Sequence, residues 1–230
     1  MERVSVIRGK TPVIVVAPHG FDQNDQNTAL IAESIANEIN CYAVINRGWE
    51  RCLDIDVLND KADCNNVYHC KEDVVREEFL EPIIRFKSRI LYSHDEAFLI
   101  FIHGMSNRHR QICKDQSLCA VVGYGAGSPM RTTCEPWMKN LLLKQLNDMG
   151  IIAYEGKSGG PMSGWSKSNM NQYFRMWDKD MGVNSMQIEL IYDLRKDCDT
   201  AQITASYLAS AIRTLGNATG YSGPANFKVY

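Results

Sequence analysis

Two uninterrupted apolar runs, each stopping at a histidine and a glycine, constrain this chain most. They are Val13-Ile14-Val15-Val16-Ala17, followed by Pro18-His19-Gly20, and Ala97-Phe98-Leu99-Ile100-Phe101-Ile102, followed by His103-Gly104. A strand with one wet face alternates apolar and polar residues, whereas a run without polar residues must be covered on both faces, as a central strand of a parallel sheet is. Such a sheet needs helices on both sides. Helical spacing predicts them over 27–40, 71–94, 133–149 and 200–215, with one or two further turns over 169–177. Between them, strand-like runs fall at 4–7, 41–45, 118–122, 151–154 and 185–191. The expected fold is α/β: a single domain over residues 1–230, built as a three-layer α/β/α sandwich with a mostly parallel mixed sheet. Pro82, inside the 71–94 pattern, predicts a kink or a helix that begins afresh there.

Composition excludes some functions. The 25 basic and 27 acidic side chains leave a net charge of -2 without a basic stripe, so no nucleic-acid partner is expected. No apolar run reaches transmembrane length, and residues 1–10 alternate charged and apolar positions, unlike a secretory signal. The expectation is a cytoplasmic chain that does not bind membranes and keeps its eight cysteines as free thiols. Cys64, His69 and Cys70 suggest a zinc knuckle, but no Cys-x-x-Cys pair exists, so that reading is set aside.

The chemistry sits at the strand ends. A catalytic zinc needs three ligands of histidine and carboxylate type, an open position for water, and a nearby carboxylate to take a proton. His19, one of Asp22 and Asp25, and His103 supply such ligands, and Glu189 supplies the base. Glu189 lies in Gln187-Ile188-Glu189-Leu190, and a carboxylate inside an apolar strand must be paired, bound to metal or placed at the mouth of a site. The plainer alternative is an outward-facing residue paired with Arg195 or a lysine. Each histidine alone would read as a core residue satisfied by backbone; two at matching strand ends, with carboxylates beside one, point to a site. A second function is nucleotide or phosphate binding by the glycine-rich loop Gly123 to Ser128 with Arg131, which follows a strand and precedes a helix. Against it, Ser128 stands where the third glycine of a dinucleotide loop should be, and Pro129 follows.

Four short motifs occur in a telling order: His19-x-x-Asp22, Asn46-Arg47-Gly48-Trp49, Phe101-Ile102-His103-Gly104-Met105-Ser106, and Ile188-Glu189-Leu190. This order resembles the signature of the zinc metallocarboxypeptidase superfamily, and within it the N-formylglutamate amidohydrolase-like and poly-γ-glutamate hydrolase-like branch. The resemblance implies a phosphorylase/hydrolase-like form of the sandwich and one zinc per chain held by His19, His103 and an acidic residue, with Glu189 as general base. It makes Arg47 the binder of a substrate carboxylate or of the developing oxyanion, with Asn46 and Ser106 beside the substrate. The implied reaction is hydrolysis of an amide or peptide bond in a small molecule or peptide bearing a glutamate-like carboxylate. The family's ligand between the histidines is usually Glu, whereas this chain offers Asp. Asp22 fits the i, i+3 spacing of the carboxypeptidases; Asp25, three residues before Thr28, fits the acid-x-x-Thr pattern of the hydrolase-like branch, and both stay open. The departure also keeps open a non-catalytic relative that binds without turnover.

Overall fold

The computed structural model of the chain describes residues 2–114, 117–125, 131–160, 162–176 and 182–218. Seven strands form one sheet: β1 (Val4–Ile7), β2 (Val13–Ala17), β3 (Tyr42–Asn46), β4 (Ala97–Met105), β5 (Cys119–Gly123), β6 (Ile152–Glu155) and β7 (Val183–Ile191), in the order β1-β3-β2-β4-β7-β5-β6. The central pairings β3-β2, β2-β4 and β4-β7 are parallel, while β1 runs antiparallel to β3 and β5 antiparallel to β7. The helices are α1 (Thr28–Ile39), α2 (Asp73–Val75), α3 (Glu81–Ser93), α4 (Pro136–Asp148), α5 (Met170–Met176) and α6 (Cys198–Ala218).

Strand alternation divides the apolar residues between two cores. On β2, Val13, Val15 and Ala17 pack with α1, α4 and α6, whereas Ile14 and Val16 face the other layer, where α3, Trp49 and α5 lie. Each buried Val or Ile side chain contributes roughly 1.5–3 kcal/mol relative to exposure, which is why runs apolar on both faces take the middle of the sheet. The three-layer sandwich expected from the sequence is the observed fold.

Two local outcomes refine the expectation. The 71–94 pattern is not one regular α-helix: a π-helical stretch, Arg76–Leu80, runs between α2 and α3, and Pro82 falls in the first turn of α3, directly after that wider turn. Also, β4 continues through His103 to Met105, so this histidine lies within the strand rather than beyond it. One expectation fails. Cys113 and Cys119 form a disulfide, with Cα atoms 5.9 Å apart, linking the segment after β4 to the start of β5, so the thiols are not all free.

The connections create the site. From β2 the chain passes through α1 to β3 on one side, then through α3 to β4 on the other, so neighbouring crossovers diverge at the carboxyl ends of β2 and β4. Open α/β sheets bind ligands at such a switch point.

Candidate active site

His19 follows β2 by two residues, and the chain then folds back tightly: the Asp22 N–H donates to the His19 carbonyl at 2.9 Å and the Asp25 N–H to the Asp22 carbonyl at 3.1 Å. Thr28, buried at the start of α1, donates its hydroxyl to the Asp25 carbonyl at 2.8 Å. Gly20 is required because a Cβ there would lie 2.6 Å from the Asn46 carbonyl oxygen and 2.9 Å from the Ala29 Cβ. These turns bring Asp25 back onto His19, with Asp25 Oδ2 3.2 Å from His19 Nδ1 and 3.5 Å from His103 Nδ1. The two imidazoles meet edge to face, their centroids 5.0 Å apart. One ligand atom from each of His19, Asp25 and His103 fits within a 4.8 Å span, and all three residues are buried.

Glu189 joins them through strand register, since His103 on β4 stands directly opposite Glu189 on β7 and the two share a pleat face. Both line a cavity of about 820 Å³, together with His19, Asp22, Asp25 and Ser106. Arg195 holds the frame. Buried against β4, its guanidinium donates to the carbonyls of Leu190 at 3.1 Å, Gln26 at 3.0 Å and Met105 at 3.2 Å, tying together the ends of β4 and β7 and the His19 loop. Gly104 leaves room for it, because a Cβ there would stand 2.5 Å from the Arg195 Cζ. Arg195 therefore serves the scaffold, and Glu189 faces the cavity instead of forming the surface pair considered as the alternative.

Two cavity residues, Asp63 and Arg51, were missed by reading the sequence. Asp63 Oδ1 lies 2.8 Å from His19 Nε2 and accepts the Asn65 N–H, and Arg51 Nε lies 3.8 Å from Asp63 Oδ2. Both come from the long irregular excursion after β3. The available signal was Ala62-Asp63-Cys64, an acid between two small apolar residues in a stretch otherwise rich in Asp and Asn.

The electrostatics favour positive charge at the centre. Burial alone would push the His19 pKa down, but Asp25 on one ring nitrogen and Asp63 on the other raise it to about 9. Burial pushes Asp25 up, yet His103 and His19 outweigh it and hold its carboxyl well below the usual range. Asp63 is lowered despite burial, chiefly by its bond to His19. Glu189 goes the other way, raised by burial with only partial relief from His103. The donor set fits a metal: two imidazoles and a carboxylate, with His103 Nε2 and Ser106 Oγ buried and without hydrogen-bond partners among the described residues. Asp63 lies on the other nitrogen of His19, where a carboxylate would fix the tautomer of the ring if its first nitrogen held a metal.

Not every residue of the motifs arrives at the cavity. Among the described residues that line it, Arg47 and Asn46, expected to bind substrate, do not appear. The reason is strand alternation. Arg47 continues the Ala43 and Ile45 face of β3 onto the α1 side, where Nη2 bonds Glu33 at 2.9 Å and Nε bonds Ser5 at 3.3 Å. Asn46 instead clamps the turn: Nδ2 donates to the Pro18 and Trp49 carbonyls at 2.8 Å, and Oδ1 accepts the N–H groups of Gly48 and Trp49. In the loop considered for nucleotide binding, a Cβ at Gly123 would meet the Met162 carbonyl at 2.2 Å and one at Gly125 the Arg131 carbonyl at 1.8 Å, so these glycines permit close chain packing. Residues 126–128 lie outside the described residues. Cys70 donates to the Cys64 carbonyl and His69 Nδ1 accepts the Asp63 N–H, and among the described residues His19, Asp25 and His103 are the one group placed to hold a metal.

A mostly parallel α/β/α sandwich thus gathers two histidines and carboxylates at the ends of its central strands, at the switch point of the sheet. At the level of sequence, no family model and no curated protein matches the chain. Solved structures do. An N-formylglutamate amidohydrolase from Ralstonia eutropha is similar at 13% identity and TM-score 0.61, with 96% of this chain and 99% of that one covered. A bacteriophage poly-γ-glutamate hydrolase is similar at 15% identity and TM-score 0.56, covering 95% and 88%. A metallo-carboxypeptidase from Pseudomonas aeruginosa is similar at 12% identity and TM-score 0.54, covering 94% of this chain and 61% of that one. The chain thus has the fold of the branch that its motif order resembles. No helix among the described residues is long and apolar enough to cross a membrane.

Proposed function

We propose that this chain is a zinc-dependent amidohydrolase that cleaves an amide or peptide bond in a small molecule or peptide bearing a glutamate-like carboxylate. The observation that carries this reading is the convergence of His19, Asp25 and His103 on one point with Glu189 on the adjoining strand of the same cavity. His19, Asp25 and His103 would hold the ion, and Asp63 would fix the His19 ring; the two-histidine, one-carboxylate set suits zinc. Zinc bound there supplies Lewis-acid chemistry, polarising a carbonyl and acidifying water.

Glu189 takes a proton from the attacking water as the C–O bond forms and delivers it to the leaving nitrogen as the C–N bond breaks, giving a carboxylate and an amine. Burial suits it to this exchange, because a raised pKa brings a carboxyl nearer to neutrality and so makes it a better base. Arg51, half exposed at the cavity wall, has a guanidinium able to take a substrate carboxylate, the task the motif resemblance assigned to Arg47. Asp22 and Ser106 line the same cavity and would contact the substrate.

Purified protein assayed with N-formyl-L-glutamate and with γ-linked glutamate peptides tests the reading. Amine release that chelator abolishes is the expected result, with Glu189→Gln retaining zinc while losing about 10²–10⁴-fold in rate. Full activity in Glu189→Gln would remove it from the mechanism.

A further inference from the structure

The general base does not stand alone. Gln187, two residues earlier on the same face of β7 and almost fully buried, donates from Nε2 to Glu189 Oε1 at 3.0 Å. Its own Oε1 accepts from Asn169 Nδ2 at 2.9 Å. The Oδ1 of Asn169 in turn accepts the backbone N–H of Asn171 at 2.8 Å.

An amide side chain can be turned either way round, and only its partners decide which end is the donor. Here the decision is made at the far end of the row. A backbone N–H can only donate, so Asn169 must present its oxygen to Asn171 and its NH2 to Gln187. Gln187 must then present its oxygen to Asn169 and its NH2 to Glu189. We propose that Gln187 and Asn169 are positioning residues for catalysis: a one-way hydrogen-bond row, anchored on the Asn171 N–H, that always offers Glu189 a donor and leaves its second carboxylate oxygen to the cavity. The proposal rests on Glu189 acting as the general base.

The surroundings are shaped for this row. A Cβ at Gly123 would lie 2.7 Å from Gln187 Cγ, and one at Gly164, whose φ is +67°, would lie 2.7 Å from Asn171 Nδ2 and 3.3 Å from Gln187 Oε1. The small-residue loop before Trp165 therefore closes over Gln187. Asn169 is pinned from the site's other side as well: it bridges to Asn66, and the Met170 N–H donates to the Asn65 carbonyl at 3.0 Å, beside Asp63. The base and the carboxylate behind His19 are thus braced by one stretch of chain.

Direction, rather than mere packing, is testable because it inverts the usual severity of substitutions. Asn169→Asp keeps the size and the acceptor for Asn171, but a carboxylate facing Gln187 turns the glutamine round and sets its oxygen against Glu189. Asn169→Leu loses both bonds yet leaves Gln187 free to keep its NH2 on Glu189. The expected result is that Asn169→Asp lowers kcat by about tenfold to a hundredfold, with KM and zinc content unchanged, while Asn169→Leu lowers it less. A scaffold role alone gives the opposite order. Side-chain amide NMR of labelled protein reads the same point without turnover: the Gln187 NH2 signals, identified by their loss in Gln187→Met, should move in Asn169→Asp and in Glu189→Ala. Signals unchanged in both variants would overturn the row whatever the substrate proves to be. Loss of rate in Glu189→Gln with Asn169→Asp at wild-type rate would overturn the row alone; full rate in Glu189→Gln would sink the general-base reading and the row with it.

Discussion

The ends of β2 and β3, neighbouring parallel strands, carry similar polar sequences, Pro18-His19-Gly20 and Asn46-Arg47-Gly48, yet they do opposite things. The β2 end bends back through tight turns and leaves its imidazole facing a cavity. The β3 end spends Asn46 on four hydrogen bonds that satisfy its own turn and the Pro18 carbonyl, and sends Arg47 to Glu33 on α1. The difference lies in position. β2 sits at the switch between crossovers, whereas β3 is flanked by the edge strand β1, so its end has no diverging neighbour and is closed by local bonding. Polar residues past a strand become a site only where the topology leaves a crevice.

Substitutions at the two ends can break that contrast. The largest effect is expected at Asp63, which supports the β2 end: Asp63→Ala should weaken zinc binding by up to about a hundredfold, measured by calorimetric titration, because it frees the His19 ring. At the β3 end, Asn46→Ala leaves the Trp49 N–H and its neighbours without partners inside the protein, and should cost about 2 kcal/mol in denaturant melts while zinc affinity holds. Arg51→Met should raise KM about tenfold for a carboxylate-bearing substrate with kcat little changed, the signature of lost uniform binding. The smallest effect belongs to Arg47→Met: at most about 1 kcal/mol of stability, from a part-exposed ion pair, and no change in KM. A KM effect at Arg47 exceeding that at Arg51 would restore the role that the motif resemblance gave to Arg47.

Much of the fold was legible in the sequence. The apolar runs of β2 and β4 specify central strands because no other placement covers both faces, and Pro82 marks where the helical pattern over 71–94 becomes irregular. His19, His103 and Glu189 were legible for the same reason: polar groups at the ends of buried strands have few places to go. Choosing between Asp22 and Asp25 was not possible, since spacing gives no sense of how tightly a loop folds back, and the 3₁₀ turn over Gln23–Asp25 is what brings Asp25 onto both histidines. Asp63 and Arg51 were hidden because irregular chain has no period to read. The Cys113–Cys119 disulfide was likewise invisible, because the number of cysteines says nothing of which sulfurs the fold brings together.

Zinc titration of freshly purified, chelator-treated protein tests the central claim most directly. The expected result is one zinc per chain with submicromolar affinity, lost in His103→Ala and kept in Glu189→Gln. Zinc uptake unaffected by His103→Ala, or no uptake at all, would contradict the assignment of His19, Asp25 and His103 as a metal site.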